Sequence, residues 1–117
     1  MSNNLAIQIT PETLRTLAFG SISGTYAGIG TPLAEPSRIY YLVNQTDVLL
    51  TFSWDGINDH FVVPAGSYIL IDVTSNRTNV GGAFAVAANT RTYVKGSPGS
   101  GSVYLSSFYG NSGLGMF

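Results

Sequence analysis

RIYYLVNQTDVLLTFSWDGINDHFVVPAGSYILIDV, residues 38–73, is the stretch whose reading decides the fold. Four short apolar runs stand in it: Ile39 to Val43, Val48 to Trp54, His60 to Val63 and Ser67 to Val73. Asn44-Gln45-Thr46-Asp47 separates the first two, Asp55-Gly56 and Asn58-Asp59 the next two, and Pro64-Ala65-Gly66 the last two. Runs rich in Val, Ile, Tyr and Phe, bounded by Asn, Asp, Gly and Pro, are strands joined by tight turns, and the spacing reads as a β-meander.

The same pattern extends outward. Leu5 to Thr10 has its apolar residues at odd positions, as a half-buried or edge strand does, and Pro11 ends it. Thr16 to Ile22 reads as a strand, with a helical turn over Pro11 to Leu17 as the alternative. Ser23 to Ser37, with three Gly and two Pro, reads as a long loop. Loops of that length are usually functional or disordered, so its apolar members Tyr26, Ile29 and Leu33 are candidates for a contact surface. Thr74 to Gly82 reads as a connection, Phe84 to Val86 as a short strand, Thr90 to Lys95 as a strand, Gly96 to Ser102 as flexible, and Val103 to Tyr109 as the last strand. The expectation is one all-β domain over residues 1–117: a single β-sandwich of about eight strands, jelly-roll-like, with extended arms at both ends. Residues 1–10 form an N-terminal arm or edge strand. Residues 111–117 form a Gly-rich tail whose Leu114, Met116 and Phe117 are further candidates for a contact.

Composition bounds the function. There are no cysteines, so disulfides and thiolate metal sites are excluded. Charged residues are 9% of the chain, against about 25% in ordinary soluble domains. With a net charge of -1 and scattered arginines, the chain has no nucleic-acid footprint. A surface so poor in charge favours association, which points to a homo-oligomer or a component of a larger assembly. No run approaches the ~20 apolar residues of a membrane-spanning helix. Met1 to Thr10 lacks the basic start and apolar core of an export signal, so synthesis and assembly in a cytoplasm are expected.

Chemistry-bearing residues are few. His60, the only histidine, follows Asp55 and Asp59 closely. One imidazole and two carboxylates fall short of a zinc or calcium ligand set, and Asp55-Gly56 suits a hairpin turn with an Asx turn at Asn58 or Asp59. No nucleophile elbow occurs; Gly20-Ser21-Ile22-Ser23-Gly24 has Ile at its centre. Gly28-Ile29-Gly30 lacks the third glycine of a dinucleotide fingerprint. No catalytic, cofactor or metal residue is therefore assigned, and the chain reads as non-enzymatic. Trp54, Tyr26, Tyr40, Tyr41 and Tyr68 leave a sugar-binding aromatic face open as an alternative.

Leu14 to Ile22, Asp55 to Ser67, Asp72 to Asn76, Thr92 to Lys95 and Gly101 to Tyr104 together resemble a group of short tailed-bacteriophage virion proteins. The resemblance spans about residues 10 to 110 and implies a virion structural protein with a sandwich like those of capsid decoration or cement proteins. Its implied partner is the major capsid protein or another virion protein. A head–tail connector or tail component is the alternative within the virion, and a carbohydrate-binding module at a host-recognition site the alternative outside the structural class.

Overall fold

A computed structural model of the chain describes residues 7–74 and 85–112. It contains nine strands among the described residues: β1 (Ile7–Pro11), β2 (Arg15–Ala18), β3 (Ala27–Gly28), β4 (Ser37–Thr46), β5 (Leu50–Ser53), β6 (Phe61–Val63), β7 (Tyr68–Asp72), β8 (Tyr93–Lys95) and β9 (Gly101–Ser112). One 3₁₀ turn, Phe19–Ser21, follows β2.

The pairing is nested and antiparallel throughout. β5 pairs with β6, β4 with β7, β3 with β8, and β2 with β9. The chain is thus doubled back on itself at residues 54–60, and the doubled ribbon is wrapped into two sheets. Sheet A runs β9-β4-β7, with β1 and β2 end to end along the outer edge of β9; sheet B runs β3-β8-β5-β6. This is the strand order of a jelly roll. The all-β sandwich expected from the sequence is the fold.

The meander is corrected. β4 and β7 lie in sheet A, whereas β5 and β6 lie in sheet B. Val48 to Trp54 therefore does not pair with Ile39 to Val43, although the two follow each other in the chain. The linker Asp47–Leu49 crosses between sheets, and buried Asn44 fixes the crossing. Its Nδ2 donates to the carbonyls of Val48 and Val63, both at 2.9 Å, and its Oδ1 accepts from the Thr46 N–H at 2.9 Å.

Alternation on β4 buries Tyr40, Leu42 and Asn44 and turns Ile39, Tyr41 and Val43 outward. Ser37 is also buried, because a register shift between Ser37 and Ile39 makes Arg38 an extra residue and resets the alternation. Val103 and Leu105 on β9 join Tyr40 and Leu42 on the inner face of sheet A, and Leu50, Phe52, Val63 and Val94 meet them from sheet B. Tyr40 spans the layers: its hydroxyl accepts from Trp54 Nε1 at 3.0 Å and pairs with Thr92 Oγ1 at 2.5 Å.

Two glycines are fixed by geometry. Gly66 (φ +69°) closes the Pro64–Ser67 turn, where the Ser67 N–H donates to the Pro64 carbonyl at 3.1 Å. Gly101 (φ +94°) opens β9 so close to β4 that a Cβ would lie 1.9 Å from the Gln45 carbonyl oxygen.

The long loop before β4 is structured from within. Arg15 is buried against it: Nε donates to the Thr31 carbonyl at 2.7 Å, and Nη2 donates to the Pro32 carbonyl at 3.0 Å. Ile29 and Leu33 anchor the same loop through backbone bonds to Thr92 and Thr90. Near the start, Thr16 to Ala18 form a strand as expected, but Phe19–Ser21 turn away instead of extending it. Leu5 to Thr10 overlaps β1, which is an edge strand on β9 and not a free arm from residue 7 onward. Asn111 and Ser112, assigned to the tail, continue β9, and residues 113–117 lie outside the described residues. Phe84 lies outside them too, and Val86 makes a single bridge to Ser37.

Removing the Asn44 amide takes a donor from the Val48, Val63 and Pro64 carbonyls and an acceptor from the Thr46 N–H and hydroxyl. Asn44→Ala is expected to lower stability by about 3 kcal/mol in denaturant melts, with the slope of the transition unchanged.

Candidate functional site

The inner face of sheet A is spent on the core, which leaves its outer face. The register places the outward residues in rows: Tyr68, Val43 and Tyr104; Leu70, Tyr41 and Ser106; Asp72, Ile39 and Phe108. Tyr68 is 60% exposed, Leu70 51% and Tyr104 38%. The Tyr41 and Tyr68 rings lie 5.3 Å apart between centroids. Asp72 is the one charged residue in these rows. The Thr74 hydroxyl and N–H, bonded to its carboxylate, hold it below its usual range. The result is an aromatic surface with a single charged residue in its rows, carried on a rigid sheet. Such patches mark contact sites when they are contiguous.

Two other places hold polar chemistry, and both are absorbed by structure. The first is an open cleft of about 690 Å³ beside Leu14, Thr31, Pro32, Ala34 and Tyr109. On its floor Arg15 Nη2 meets Glu12 Oε1 at 2.7 Å, with the two side chains 7% and 10% exposed. Arg15 Nη1 donates to Ser107 Oγ at 3.1 Å, and Glu12 Oε2 accepts from the Glu35 N–H at 3.0 Å. Burial pushes the Glu12 carboxyl up, but the guanidinium and the Glu35 and Ala34 N–H groups outweigh it and hold the group below its usual range. The pair staples the loop to β2 and β9.

The second place is the turn at residues 53–60. Asp55 Oδ1 accepts from the Ile57 and Asn58 N–H groups, both at 2.8 Å, and from Ser53 Oγ at 2.8 Å. His60 Nδ1 accepts from the Trp54 N–H at 2.9 Å. The Asx role expected of Asn58 or Asp59 therefore belongs to Asp55. Among the described residues, no three of His, Asp and Glu gather as metal ligands would.

The candidate contact residues separate. Ile29 and Leu33 are corrected: at 0% and 2% exposure they fill the chain's own core and offer nothing to a partner. Their loop reads as a contact surface because it is apolar, but its apolar residues are apolar for packing. Tyr26 is half-buried; its hydroxyl donates to Asp59 Oδ1 at 2.5 Å, and Lys95 Nζ lies 4.7 Å from its ring centre. Burial, then the bond to the Asp59 carboxylate, raises its hydroxyl to about 12. Leu114, Met116 and Phe117 lie outside the described residues. Trp54 is half-buried, edge-on to Tyr40 and Phe61 at 5.5 and 5.9 Å, so its indole is not the free platform a sugar site needs.

Comparison with family models, with curated proteins and with solved structures finds no match to this chain.

The Asp55 carboxyl is held well below its ordinary value of 3.8, first by the Asn58 and Ile57 N–H groups. A depressed carboxyl stabilises the folded turn above its unfolded value and loses that contribution as pH falls through the folded one. The turn is therefore expected to keep its order down to about pH 4 and loosen only below it. Amide chemical shifts of Ile57 and Asn58, followed on acid titration of a His60→Gln chain so that no imidazole titrates in the turn, check this. Movement between pH 7 and 5 would contradict it.

Proposed function

We propose that this chain is a non-enzymatic structural protein of a bacteriophage virion, a decoration or cement protein that stabilises the major capsid shell. The observation that carries the reading is the outer face of sheet A. Tyr68, Leu70 and Tyr104 stand exposed on it, and Tyr41, Val43, Ile39 and Phe108 share the face. A face of this kind, on a chain with only 9% charged residues, suits a protein whose working surface is covered by neighbours. The segments that resemble tailed-phage virion proteins supply the setting. Repetition over a shell lets modest contacts act together, so no single deep site is required.

Aromatic anchors at such contacts cost about 2 kcal/mol or more when truncated. Tyr104→Ser is therefore expected to weaken binding to shells stripped of this protein by roughly thirtyfold, while Ile57→Ser on the far turn binds as the parent does. Removal of Gly113–Phe117 is expected to lower occupancy on purified particles. Parent-like binding by Tyr104→Ser, measured by occupancy against added protein, would remove the outer face from the reading.

A further inference from the structure

β7 is the last strand of sheet A, and its free side is open among the described residues. Its hydrogen bonds show which groups face that side. The Ser67 carbonyl accepts from the Asn44 N–H at 2.8 Å, and the Val73 N–H donates to the Arg38 carbonyl at 3.0 Å. Pairing in an antiparallel ladder alternates, so the odd-numbered residues bond to β4. The N–H and C=O of Tyr68, Leu70 and Asp72 therefore point away from the sheet.

Free edges are normally blunted by Lys, Pro, bulges or short strands. The other edges carry such devices. β3 is two residues, β6 three and β2 four, and β1 ends in Pro11. β7 has five residues, YILID, with no Pro, no basic residue and no register shift against β4. Ile69 and Ile71 pack on the core, while Tyr68 and Leu70 are more than half exposed.

We propose that β7 joins two copies of this chain edge to edge, antiparallel about a two-fold axis at Leu70, into one continuous sheet. The strand is complementary to itself in that register. Leu70 faces Leu70 of the second copy, and Tyr68 faces Asp72, so the outward N–H and C=O groups of all three residues find partners. Charge fits the same occupant. The strand's one charge, Asp72, falls opposite a tyrosine and about 13 Å along the strand from its symmetry mate. No two like charges of the strand therefore face each other across the axis. The row of Tyr41 and Leu70 then runs unbroken from one copy to the other, with an Asp72 in the row on each side of it. This pairing holds whether or not the chain belongs to a virion.

The test is the mass of the full chain in solution, by sedimentation velocity across a dilution series. The parent is expected at twice the chain mass. Leu70→Lys sets two like charges face to face on the axis and should raise the dimer dissociation constant by about thirtyfold or more. Val62→Lys, an exposed position on β6, should leave it unchanged. Leu70→Cys guards against misfolding of the lysine variant. Facing Cα atoms of a hydrogen-bonded pair lie about 5.5 Å apart, within disulfide reach. In a chain without other cysteines, mild oxidation should cross-link Leu70→Cys and leave Ile57→Cys uncross-linked at the same concentration. A monomeric parent, as when residues 75–84 or a strand of another protein cover the edge, would overturn the proposal. So would an oligomer that survives Leu70→Lys unweakened, or equal cross-linking of the two cysteine variants.

Discussion

The ladder between β4 and β9 runs from Ser37 opposite Tyr109 to Thr46 opposite Gly101, and the rest of sheet A attaches through it. β7 hangs on β4, and β1 and β2 hang on β9. One side of the ladder supplies Tyr40, Leu42, Val103 and Leu105 to the core; the other carries Tyr41, Val43, Tyr104 and Phe108 outward. Because side chains alternate at a period of two, the register that seals the core also fixes the outer face. A slip of one residue would exchange them. Gly101 pins that register at one end, since a side chain there would strike Gln45. The bulge at Arg38 adjusts it at the other.

Strand content was legible because it is local. Ile39 to Val43, Ser67 to Val73 and Val103 to Tyr109 announce themselves by β-branched and aromatic residues between turn formers. Pairing is not local. Asn44-Gln45-Thr46-Asp47 looks like a hairpin turn, yet its first three residues continue β4 against β9, and the crossing to the other sheet at Asp47–Leu49 is held by Asn44, which bonds inward to Val48 and Val63. β9 outruns its apolar core in both directions: Gly101 and Ser102 pair with β4, and Gly110 to Ser112 pair with β1. Neither end has a strand-forming composition, and their partners stand far away in sequence.

The candidate surface divides along the same line. The turn at Asp55 could be anticipated because every partner of that carboxylate named here lies within three residues. Ile29 and Leu33 misled because Gly and Pro around them signal a loop, whereas the buried Arg15 that holds the loop down sits more than fifteen residues upstream of Thr31. The outer face was missed as a surface for the opposite reason. Tyr40 and Tyr41 show that one ring must point out, but only the register brings Tyr68, Leu70 and Tyr104 beside it. The signal in the sequence was YILID itself: an edge strand apolar on both faces.

A rigid jelly roll whose inner residues are fully committed leaves its outer sheet as the place where a partner would be met. The proposed virion role rests on that division. Hydroxyl-radical footprinting of the chain, free and seated on purified particles, tests it most directly. Oxidation of Tyr104 and Phe108 is predicted to fall on the particle, while Ile57 and His60 stay as reactive as in the free chain. Protection confined to the turn at residues 54–60, with Tyr104 and Phe108 unchanged, would contradict the assignment of the outer face of sheet A as the working surface.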